Sequence, residues 1–128
     1  MLAWTSLAFL TNTVHAAAKG YGAYALSFGT LATTSILFHT SDKTDSVFFW
    51  LDQAAIYCVF GIGFLYFLRI SRTYQVAAMI TILLVITLYF GGWATNSLCW
   101  GPGPNKEIYH ACMHLIGATG HHCIMAGL

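Results

Sequence analysis

Apolar residues run along this chain in five long stretches, at 2–18, 21–39, 47–68, 74–95 and 108–127. Each is close to the ~20 residues that a helix needs to cross the hydrocarbon core of a bilayer. The polar linkers between them are short: Lys19-Gly20, residues 40–46, residues 69–73 and residues 96–107. Pro102 and Pro104, interleaved with Gly101 and Gly103, mark the last as a turn region. No internal repeat or low-complexity tract interrupts the pattern. It predicts an all-α fold: a polytopic transmembrane helix bundle of about five spans, forming a single transmembrane domain over residues 1–128. Gly117, Ala118 and Gly120 in the fifth stretch would let it approach a neighbouring helix closely.

Composition strengthens this picture. The chain is 58% hydrophobic and 7% charged, against roughly 25% charged for a soluble domain. A net charge of +1 gives no electrostatic basis for binding nucleic acid. Lys19 in the first linker and Arg69 and Arg72 in the third favour the cytoplasm. The second and fourth linkers hold one lysine each with acidic residues beside it. This predicts a multi-pass protein of the endomembrane system (ER/Golgi) or plasma membrane, with its amino terminus lumenal or outside. A rival reading takes "HAAAK" (His15 to Lys19) as a signal-peptide cleavage site, but "MLAWTS" lacks the basic residue of such a leader. Of four cysteines, Cys58, Cys112 and Cys123 fall in apolar stretches, where a thiol behaves as a small hydrophobe. Cys99 lies in a linker, and a Cys99–Cys112 bridge is open.

Six histidines outnumber both the five basic and the four acidic side chains. Their placement carries the chemistry. His39 ends the second helix, Asp52 lies in the first turns of the third, and His110 and His114 open the fifth. These helix ends share one side of the membrane whichever side is lumenal. Ser35 and His39 are four apart, as are His110 and His114, so each pair shares a helix face. Three imidazoles with a position left for water match the open coordination of a catalytic zinc site. Asp52, costly in a membrane helix unless paired or working, could accept a proton from the activated water or orient a ligand. Ser35 could hydrogen-bond that water or a developing oxyanion. The bland readings are packing histidines, a helix–helix bond for Ser35 and a structural partner for Asp52. Asp42 and Asp45 read as solvated loop charges, and Trp50, Tyr57 and Trp100 as core or interface aromatics. His121 and His122 lie about 16–18 Å along the helix from His110, too far to share its metal, and read as packing or hydrogen-bonding residues.

"SILFH" (Ser35 to His39), "LDQAAIY" (Leu51 to Tyr57) and "HACMHLIGATG" (His110 to Gly120) resemble the signature of the CREST superfamily of membrane hydrolases. Its alkaline ceramidases look most similar, and "SILFHTSD" also resembles the myomaker group. The resemblance implies that His39, His110 and His114 ligate Zn2+, with Ser35 and Asp52 around the water. It covers the second, third and fifth stretches. Family members have seven spans, so this would be a reduced version of a seven-span fold, and a homo-oligomer could supply the missing walls.

The expected function is therefore a zinc-dependent integral-membrane lipid hydrolase. It would cleave the amide bond of a ceramide-like lipid, or an ester bond, within the bilayer. Two alternatives stand beside it. One is a receptor-like or membrane-remodelling protein that keeps a structural zinc. The other is a b-type haem electron carrier, with His15 and His121 or His122 holding one haem and His39 with His110 or His114 another.

Overall fold

The computed structural model describes residues 2–41 and 47–128. Asp42 and Asp45 lie outside the described residues. Among the described residues the fold is all-helical, without strands. α1 (Leu2–Ser6) and α2 (Ala8–Ala18) form one rod jointed at Leu7, whose N–H bonds back to the Trp4 carbonyl three residues earlier. The rod ends at Gly20, which takes φ +82°. Gly20 N–H then bonds Ala17 O at 3.0 Å and Tyr21 N–H bonds Ala16 O at 2.9 Å. This is the left-handed closure that favours a residue without Cβ, and it turns the chain back into α3 (Gly22–Thr40).

α4 spans Val47–Phe67. α5 (Arg72–Ile86) runs on through a π-helical turn, Thr87–Gly91, into α6 (Gly92–Thr95). Asn96 at φ 50° closes that end, and a 3-10 turn (Leu98–Trp100) leads towards α7 (Asn105–Gly127). Pro104 and Glu107 suit the start of α7: proline is preset for a first turn, and a carboxylate complements the positive end of the helix.

α3 packs between α2 and α4, while α7 touches α1, α2, α4 and α5. Tyr24, Phe28, Val59 and Met125 are core residues of this bundle. α4 and α5 scarcely meet, and a cleft floored by α7 opens between them. The α5–α7 seam is close because Gly120 lies directly against Thr81.

Two helices are long and apolar enough to cross a membrane, Val47–Phe67 and Arg72–Thr95. Most of both faces outward, unlike the core helix of a soluble domain. The other three expected spans are less apolar or broken. The first is jointed at Leu7, α3 carries six Ser and Thr side chains, and α7 carries four histidines.

Asn12 ties the first rod in place. It is fully buried, and its amide donates to Ala118 O of α7 at 2.9 Å. Asn12→Ala is expected to destabilise the fold by about 1–2 kcal/mol, through the lost bond and the space left behind. Unfolding in detergent measures this, and an unchanged midpoint would refute it.

Candidate metal centre

His39 stands in the last turn of α3, and His110 and His114 stand one turn apart near the start of α7. The His110 and His114 ring centroids are 4.8 Å apart, as an i, i+4 pair on one face allows. The His39 ring is 4.9 Å from His110 and 5.2 Å from His114. One ligand nitrogen from each of the three lies within 4.8 Å of the others. Nitrogens around tetrahedral zinc, at about 2.0–2.1 Å from the ion, stand about 3.4 Å from one another. Small rotations of the imidazoles span the difference.

His39 Nε2 is buried and has no hydrogen-bond partner among the described residues. A buried polar nitrogen calls for a partner, and an ion bound between the three rings would supply one. The donor set, all imidazole, suits zinc and its neighbours in the first transition row rather than magnesium or calcium. On both counts the residues present fit one such ion.

Asp52 and Ser35 line the same cavity of about 530 Å³ as the three histidines. Asp52 is 5% exposed and accepts a bond from Thr34 at 3.4 Å, the outer limit for such a contact. Its carboxylate therefore keeps capacity to take up a proton. Ser35 is buried against Ser6, Oγ to Oγ 2.8 Å. Ser6 Oγ also lies 3.0 Å from the Leu2 carbonyl, which can accept its hydrogen. Ser35 also lines the cavity, where its hydroxyl can serve either of its two expected roles.

The first rod also reaches His114: Thr5 Oγ1 lies 2.9 Å from its Nδ1. Thr5, Ser6 and Thr34 were not singled out by sequence spacing. Thr5 and His114 are 109 residues apart, and hydroxyls in an apolar stretch carry no periodic signal. The topological argument could have reached Thr5 and Ser6, since the start of the first helix meets the same leaflet as the end of the second.

The remaining histidines bond elsewhere. His121 packs among Phe28 and Phe60 and hydrogen-bonds the Tyr24 hydroxyl. His122 Nε2 meets Thr11 Oγ1 at 2.8 Å, and its Nδ1 meets His15 Nδ1, also at 2.8 Å. The His15 and His122 rings are stacked with centroids 5.1 Å apart, which leaves no room for an iron between them. All four cysteines are free, so the Cys99–Cys112 bridge is not formed. Burial pushes the Cys99 thiol up to about 11, so it stays protonated at neutral pH.

The far rim of the cavity is shaped by the π-helical turn, an irregularity common at functional sites. It places Tyr89 edge-on to Trp100 and within 3.4 Å of the Gln53 side-chain oxygen. No family model, curated protein or solved structure matches this chain.

Proposed function

We propose that this chain is a zinc-dependent integral-membrane lipid hydrolase of the CREST type, cleaving the amide bond of a ceramide-like lipid. One observation carries the reading. His39, His110 and His114 converge from two helices on an apolar cavity that also takes in Asp52 and Ser35. Leu31, Ile56, Phe60, Ile82 and Val85 give that cavity walls suited to an acyl chain. The cleft between α4 and α5 offers such a chain a sideways entry.

In this reading all five helical rods cross the bilayer, with the amino terminus lumenal or outside. The hydroxyls of α3 do not oppose this. Ser27, Thr30 and Thr33 donate to the carbonyls four residues earlier, at 2.8–2.9 Å, so they bring no unpaired donor into lipid. Trp50, Phe64, Ile80 and Leu83 project outward from α4 and α5, an apolar surface that water would not favour.

Zinc, when bound, supplies Lewis acidity to activate a water and polarise a carbonyl. The protein supplies the rest. Asp52 takes the proton of the attacking water and passes it to the leaving amine. Ser35 hydrogen-bonds the water and so orients it. The apolar walls hold the acyl chain and keep bulk water from the reacting carbonyl.

The test pairs elemental analysis of purified protein with fatty-acid release from a lipid panel. About one zinc per chain and release from a ceramide are expected. Metal-free wild-type protein would overturn the reading. Zinc without release from any ceramide or phospholipid would instead favour a non-catalytic, receptor-like or membrane-remodelling role.

A further inference from the structure

The first turn of the chain reaches the site through two hydroxyls. Thr5 has one hydroxyl hydrogen, and the Leu2 carbonyl, 2.9 Å away, can accept it. The same oxygen of Thr5 lies 2.9 Å from His114 Nδ1. The contact occupies Nδ1 and leaves Nε2 as the nitrogen of His114 free to ligate. A neutral imidazole that gives Nε2 to a metal carries its proton on Nδ1, and Thr5, with its hydrogen on Leu2, is then the acceptor. The Leu2 carbonyl, which also lies 3.0 Å from Ser6 Oγ, can end two relays. One runs from His114 through Thr5, and the other from Ser35 through Ser6. His114 is also pressed edge-on against Phe9 of α2, ring centroids 5.4 Å apart. The first rod therefore touches this ring at Nδ1 and braces its tilt.

We propose that Thr5 is the positioning residue for His114, accepting Nδ1–H so that Nε2 is presented to the metal. The inference rests on the zinc reading above. A ligating imidazole held through its other nitrogen is pre-oriented and more basic, and loss of such a partner typically lowers metal affinity 10–100-fold. Thr5 makes no contact with the metal in this scheme. Its effect passes through the His114 ring alone.

Three variants isolate that effect. Thr5→Val keeps the shape and branching of the side chain but removes the acceptor. Thr5→Ser keeps the acceptor. His122→Ala removes a histidine bonded to the first rod at a separate point. Zinc affinity is measured by chelator competition on full-length protein in detergent, with cobalt absorption as a second readout of the shell. Thr5→Val is expected to bind zinc 10–100-fold more weakly, Thr5→Ser to stay close to wild type, and His122→Ala to leave affinity unchanged. Ring nitrogen-15 spectra of metal-free wild-type protein should show His114 protonated at Nδ1. That measurement holds even where Thr5→Val does not fold. Wild type and Thr5→Val binding zinc equally tightly would overturn the inference, as would a His114 ring protonated at Nε2. Failure of the zinc reading looks different: wild-type protein that takes up no zinc at all.

Discussion

Asp52→Asn is expected to purify with its zinc and to lose lipid hydrolysis, whereas His110→Ala and His114→Ala are expected to lose the zinc itself. The two classes separate because the residues stand differently in the site. The imidazoles are within 4.8 Å of one another and have nitrogens to give. Asp52 sits in the cavity wall, with a long bond from Thr34 to its carboxylate. An amide fills the same space and can still accept from Thr34, but it takes up no proton at neutral pH. General-base assistance contributes typically 10²–10⁴-fold, and that is the expected drop in turnover. For the histidines the loss is of the metal, so turnover should fall to background. His121→Ala and His122→Ala are the controls. They lie at the far end of α7, about 16–18 Å from His110, and should keep the metal. Metal content per chain and initial rates, measured on the same preparations, decide the matter. Zinc retained in His114→Ala, or full turnover in Asp52→Asn, would sink the assignment.

How much of this could be read from the residues depends on the kind of signal. The five helical rods follow from apolar runs, and their limits fall within a few residues of the runs. The differences have causes. α7 begins at Asn105 rather than 108 because Pro104 and Glu107 build a first turn that an apolarity pattern does not register. The joint at Leu7 and the π-helical turn at Thr87–Gly91 leave no mark on the apolar pattern, which runs through both. The meeting of His39 with His110 and His114 was legible because helix ends alternate sides in a bundle, a rule that needs no packing detail. Hydrogen-bond partners were not legible. That Ser35 meets Ser6, and that Thr5 meets His114, depends on how α1 is turned about its axis. Rotation is set by packing of Phe9, Asn12 and Ala16 into the bundle, which no local pattern encodes.

Gly120→Ala is expected to destabilise the protein by about 1–3 kcal/mol, against the usual trend for a helical glycine. In an open helix position, alanine is favoured over glycine by about 1 kcal/mol. At Gly120 the added Cβ would lie 2.1 Å from Thr81 Oγ1 and 3.0 Å from Thr81 Cβ. The Thr81 hydroxyl cannot simply swing away, because it donates to the Ala78 carbonyl at 2.7 Å. The helices must therefore part along the α5–α7 seam, and overpacking of this kind costs about 1–3 kcal/mol. Two companions make the sign interpretable. Gly61 of α4 has nothing within 4 Å of its would-be Cβ, so Gly61→Ala should be neutral or stabilising. Thr81→Ala removes the nearest atom, so the double variant Gly120→Ala/Thr81→Ala should recover part of the loss. Thermal unfolding of the four chains in one detergent gives the comparison, and a Gly120→Ala protein more stable than wild type would refute the packing. The consequence reaches the site. Ile82 and Val85 of α5 wall the same cavity as His110 and His114, so a seam forced open at Gly120 widens the acyl cavity while the histidines stay together on α7. Zinc binding should survive this substitution better than lipid turnover does, because the metal's ligands come from α3 and α7, away from the seam, and the substrate needs α5 as well.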